Sequence, residues 1–126
     1  MRKHLAISDV ASGAGDRDLL FNQFLDDFLH ECRPGMRALI SGEPSPTGDE
    51  SFDAKLAATA ELLAHRHGVE VPEWVAKPRF FLDSPVYGAP MLCARDDIAR
   101  DWFERNTTEE FAKRKLFLGP DLLSRR

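Results

Sequence analysis

Four prolines impose the tightest limit on what this chain can fold into. Pro72, Pro78, Pro85 and Pro90 recur every five to seven residues, and each lacks a backbone donor and disfavours helical geometry in the residue before it. Between them, Glu73 to Ala76 and Arg79 to Asp83 have room only for single turns or extended pieces. The same stretch holds Trp74, Phe80, Phe81, Leu82, Val86 and Tyr87, too much apolar area to leave in water at ~25 cal/mol per Å2. It must therefore wrap onto regular structure supplied by the rest of the chain, or form part of a surface for a partner.

That regular structure reads as helical. Leu20, Phe21, Phe24, Leu25, Phe28, Leu29 and Cys32 recur at spacings of three and four, which stacks them on one face of a helix. Asp16 is placed to cap this helix and Pro34-Gly35 to stop it. Met36 to Ile40 predicts one or two further turns, and the two Pro and two Gly within residues 42–48 predict an exposed connector. Thr47 and Glu50 have the spacing of a capping box ahead of a second stripe, Phe52, Leu56, Ala60, Leu63 and His67, which Gly68 is placed to end. A short connection between the two helices predicts an antiparallel pair. In the last third, Asp96 or Asp97 starts a helix bearing Ile98, Trp102 and Phe103. Thr107 with Glu110 is a second capping-box signature, Leu116 to Leu118 reads as extended, and residues 121–123 read as a closing helical turn. The expected fold class is mainly α: a compact helical domain with an antiparallel helix pair, a Pro-interrupted aromatic segment, a helical C-terminal part and little or no β.

The first residues read differently. Residues 8–16 are small and polar with two Gly, which predicts a turn or loose segment. The expected organisation is a flexible segment over residues 1–15 and a single helical domain over 16–126. A chain of 126 residues with 43% hydrophobic residues has material for one core without disulfides or metal. The apolar run before Asp9 is too short for a signal-peptide core, and no stretch approaches the ~20 apolar residues that cross a bilayer. Two cysteines, Cys32 and Cys93, form no framework and no zinc or redox spacing. A cytoplasmic protein with no membrane association and no cofactor is expected.

Charge narrows the partners. Seventeen basic residues against 21 acidic give a net charge of −4, so no global positive field holds a nucleic-acid backbone. The distribution is uneven: residues 100–126 carry seven basic and five acidic side chains, residues 1–99 ten and sixteen. Lys113, Arg114 and Lys115 lie where a helix C-terminus favours positive charge without any ligand.

Catalytic and metal patterns find little support. His65 and His67 are two apart, so on a helix their rings diverge by about 200° and do not share an ion. His30, Glu31 and Cys32 have a similar defect, and Cys32 is better explained as a small apolar member of the first helical stripe. The adjacent pairs Asp26-Asp27 and Asp96-Asp97 diverge by about 100° and do not converge on a substrate. No serine lies in a nucleophile-elbow context, and the glycines match neither a dinucleotide fingerprint nor a P-loop.

A string of short segments in fixed order carries more information. Phe21 to Phe28, Pro44-Ser45-Pro46-Thr47-Gly48-Asp49, the Leu56 to His67 helix, Val71-Pro72-Glu73-Trp74, Arg79 to Asp83 and Phe111 to Gly119 span roughly a hundred residues. In this order the chain resembles a small actinobacterial antitoxin-like domain, similar to the C-terminal domain of helix-turn-helix regulators encoded beside AbiEii-type nucleotidyltransferase toxins. The resemblance implies a non-enzymatic protein that binds and restrains a cognate nucleotidyltransferase-like partner. Longer relatives carry a DNA-reading helix-turn-helix ahead of this domain; residues 1–16 are too short for one, so direct nucleic-acid binding is not expected. On this view the acidic first helix, with Asp26 and Asp27, and the aromatic segment, with Trp74 and Tyr87, are contact candidates. Trp74 and Tyr87 are the aromatics whose polar tips suit a wet rim. Lys113, Arg114 and Lys115 complete the partner-binding candidates, and a homodimer is compatible with the reading. Two other classes stay open at this level. One is a small enzyme or ligand-binding domain with a pocket lined by His65 or His67, Asp83, Tyr87 and Arg95; the other is an accessory domain of a transcriptional regulator.

Overall fold

A computed structural model describes residues 4–13 and 16–119. The protein is mainly α. In chain order the elements are α1 (Ile7–Ser12), α2 (Arg17–Leu29), α3 (Arg33–Ser41), α4 (Glu50–His67), two single 3-10 turns (Glu73–Ala76 and Pro78–Phe80), β1 (Val86–Tyr87), α5 (Pro90–Arg95), α6 (Asp97–Asn106), α7 (Glu109–Ala112) and β2 (Leu116–Phe117). The closing turn expected over residues 121–123 lies outside the described residues. No described helix is long and apolar enough to cross a membrane.

The fold is organised around α4. Its side chains from Phe52 to Ala64 are buried on nearly every face, with only Lys55 and the first and last residues reaching solvent. A helix buried all round needs small residues where neighbours approach, and Ala54, Ala57, Ala58, Ala60 and Ala64 supply them. Around α4 pack α1, α3, α7, both 3-10 turns and β2. Asp49 caps its start, its carboxylate accepting from the Phe52 N–H at 3.2 Å. Thr47 is therefore not the cap: its hydroxyl donates to the buried Asp53 at 2.8 Å, locking the connector onto the helix. Gly68 ends α4 in the left-handed conformation, φ 66°, its N–H reaching the Ala64 carbonyl.

Helix α2 is capped by Asp16, as its sequence predicts, and buries Phe21, Phe24, Leu25 and Phe28. The relation between α2 and α4 is parallel, which corrects the expected antiparallel pair. Arg17 lies over the Phe52 ring and Lys55 Nζ lies 4.3 Å from the centre of Phe21 at the start of both helices, while Phe28 meets His67 edge-on at their ends. The connection is itself a helix, α3, so the chain reverses twice between them. Pro34 sits in the first turn of α3, where its missing N–H is no loss, and so begins a helix as well as following one. Because α2 ends at Leu29, the apolar stripe loses its phase: Leu29 and Cys32 are exposed, and Cys32 stands at the N-cap of α3 instead of on the core face.

The turn expected over residues 8–16 is helical as far as Ser12. Ile7 and Val10, one helical turn apart, are fully buried. Asp9 accepts from the Ala6 N–H at 3.0 Å, and Asp27 of α2 accepts from the Leu5 N–H at 2.8 Å. Tertiary burial and these two carboxylates outweigh the weak helical propensity of the segment. In the proline-rich stretch the first single turn falls at Glu73–Ala76 as expected, the second starts one residue before the expected Arg79 to Asp83 piece and ends at Phe80, and β1 pairs in parallel with β2, Val86 opposite Leu116 and Tyr87 opposite Phe117. A parallel pair needs a long crossover, and α5, α6 and α7 provide it. Lys115, at φ 63°, makes the sharp turn from α7 into β2.

Candidate interaction surface

The expected contact residues do not lie together on one face. Asp27 is buried and occupied, accepting from the Leu5 N–H and from Gln23 Nε2 at 2.9 Å. Asp26, beside it, is half-buried. Trp74 is a core residue instead of a rim residue: its ring packs on Phe80 at 5.1 Å, and its indole N–H donates to the Ile40 carbonyl at 3.0 Å. The polar tip that suits a wet rim is satisfied inside. Tyr87 is half-buried, stacked on Phe117 at 5.4 Å, with its hydroxyl donating to Glu104 at 3.3 Å. Burial and the Glu104 carboxylate push its pKa up.

The basic triplet is split in the same way. Arg114 is fully buried; Nη1 lies 2.9 Å from Glu61 of α4 and donates to the Glu110 carbonyl, while Nη2 donates to the Val75 carbonyl. Its guanidinium also covers the Phe81 ring at 4.7 Å. Burial pulls its pKa below the ordinary value, with Glu61 acting in the opposite sense. Lys113, partly exposed, closes over the same Glu61 carboxylate. Lys115 points elsewhere and donates to the Asp83 carbonyl at 3.0 Å. The triplet is a clamp that joins α7 to α4 and to the proline-rich stretch. Glu61 gives no sign in the sequence beyond sitting in a helix whose neighbours prove to be buried all round.

The residues expected to line a ligand pocket also fail to converge. His65 and His67 border a shallow hollow with Arg33 and Arg66, and His65 is tied to Glu110 at 2.6 Å. Asp83 borders a different hollow beside Asp49 and Ser51 at the start of α4. Tyr87 borders a third, with Pro90, Cys93 and Arg100, and Arg95 is exposed on α5. Among the described residues no group of three or more His, Cys, Asp or Glu is arranged to hold a metal ion.

What stands out is the arm formed by α5 and α6. Met91, Leu92, Ile98 and Trp102 are 77%, 53%, 80% and 49% exposed, four of the six large apolar side chains exposed among the described residues. Pro90 opens α5, and Asp96 caps α6 by accepting from the Ile98 N–H at 2.9 Å. The arm is anchored on its inner side. Cys93 is buried, Phe103 fits against Gly88 where a Cβ would collide with its ring, and the Thr107 hydroxyl accepts from the Gly119 N–H at 3.1 Å. No residue of α6 is fully buried; of the three apolar residues expected on this helix, Ile98 and Trp102 are exposed, while Phe103, together with Ala99, is half-buried towards the domain. Beside the Ile98 and Trp102 stripe lies the ion pair of Asp101 with Arg105 at 2.9 Å, whereas Asp97 pairs at 2.7 Å with Arg100, whose guanidinium also donates to the Cys93 carbonyl on the other side of the helix. An apolar stripe rimmed by charge is the composition of a protein contact surface. Comparison with protein-family models, with curated proteins and with solved structures finds no match to this chain.

Proposed function

We propose that this protein works without catalysis, as an antitoxin-like binding protein that docks on and restrains a nucleotidyltransferase-type toxin encoded beside it. The observation that carries the reading is the outward apolar stripe of the α5–α6 arm. A large, half-exposed aromatic such as Trp102, one helical turn from the exposed Ile98, is the kind of anchor that dominates binding once its surroundings are desolvated. A site that handles nucleotides is electropositive, and a partner of net charge −4 approaches it with favourable long-range attraction. Both cysteines are free thiols, which suits a cytoplasmic setting.

Co-expression with the product of the adjacent gene tests the reading, that product being expected to carry a Gly-Ser followed by spaced acidic residues. The two chains should co-purify, and growth arrest caused by the neighbour should be relieved. Trp102→Glu should abolish both effects while leaving the circular dichroism of the chain unchanged. Persistent toxicity with the chain abundantly expressed would contradict the proposal, as would turnover of a metabolite by the purified chain.

A further inference from the structure

We infer that α6 is also a self-association helix, pairing antiparallel with α6 of a second copy about a two-fold axis near Trp102. The inference rests on reading the outer stripe of α6 as a protein-binding surface, and it names the occupant of that stripe in the isolated chain.

Charge complementarity selects this occupant. On α6, Ile98 and Trp102 are one turn apart on the outward side, and Asp101 and Arg105 lie on the same side of the helix, each exposed. The order is acid first, then base, and it repeats the order of Asp97 and Arg100. Two copies packed in parallel through this stripe would set like charges against like. Packed antiparallel, with the axis passing beside residue 103, Asp101 of each copy faces Arg105 of the other, and the two Trp102 rings meet near the axis. The existing i,i+4 pair is then exchanged for two pairs across the interface, so no charge loses its partner. An isologous contact of this kind closes on itself and leaves no open edge for further growth. One ten-residue helix per copy makes a contact smaller than that of a stable complex, so the dimer should form on the order of micromolar concentrations.

Sedimentation of the full chain over a concentration series tests this. The wild type should pass from 14.2 kDa to twice that mass. Trp102→Glu should weaken association at least about tenfold. Asp101→Arg and Arg105→Asp should each weaken it, and the double exchange D101R/R105D should restore it to near the wild type. All three side chains changed are exposed, so unchanged thermal melting shows that folding is intact. A wild type that stays monomeric throughout overturns the inference, even if it binds the neighbouring product, and so does a dimer indifferent to Trp102→Glu. Failure of the double exchange to rescue overturns the antiparallel register. Loss of toxin rescue by a chain that still dimerises would count against the antitoxin reading alone.

Discussion

Arg114 and Glu61 make the structure depend on a pair of charges that water does not reach. Burying two ions costs several kcal/mol each, recovered only while they face one another with their remaining hydrogen bonds made. Removing the acid is expected to be worse than removing the base. After Glu61→Leu, Arg114 keeps only the carbonyls of Glu110 and Val75, whereas after Arg114→Met, Glu61 keeps Lys113. Glu61→Leu should therefore cost about 3–5 kcal/mol in urea unfolding and Arg114→Met less. The double variant should be less destabilised than the sum of the two; additive losses would show that the charges are not coupled. A second residue-scale effect follows from Glu110. Burial pushes its carboxyl up, but the His65 hydrogen bond and its own backbone outweigh that and hold it below 4.5. A carboxylate with a depressed folded pKa contributes its stability above the ordinary value, and that contribution disappears as pH falls through the folded one. His65→Ala should lower stability at pH 7 by at most ~0.5 kcal/mol, since His65 is half exposed. The gap should shrink below pH 4.5. A gap constant from pH 7 to pH 3 would remove this assignment.

At the scale of elements, caps and breakers were legible and their exact partners were not. Asp16, Asp96 and Gly68 act where local chemistry puts them, because a short polar side chain or a left-handed glycine works through its own backbone. Gly68→Ala should accordingly cost about 1 kcal/mol by urea denaturation, from the φ of 66° alone; an unchanged midpoint would deny the strain. Thr47 and Thr107 looked like caps by spacing, yet their hydroxyls serve Asp53 and the Phe103 carbonyl. Spacing names a candidate donor and acceptor, and tertiary neighbours then compete for them. The same competition explains α1, whose Ile7 and Val10 are too few to announce a helix and whose entry at Leu5 is held by an aspartate 22 residues along the chain.

At the scale of the whole molecule, periodicity gave the helical class but not which helix lies at the centre. The stripe from Phe52 to His67 reads as one-sided, whereas α4 is enclosed, because alanines carry no periodic signal and Glu61 finds its countercharge 53 residues away. Conversely, Ile98 and Trp102 have core spacing but face solvent, since Phe103 and Ala99 already provide the inner face of α6. The proposed function takes that second stripe to be buried by another molecule. Titration calorimetry of the purified chain with the neighbouring nucleotidyltransferase-like product tests this most directly. Saturable one-to-one binding, weakened at least about tenfold by Ile98→Glu, is the predicted result; no heat of binding, or binding indifferent to that substitution, would contradict it.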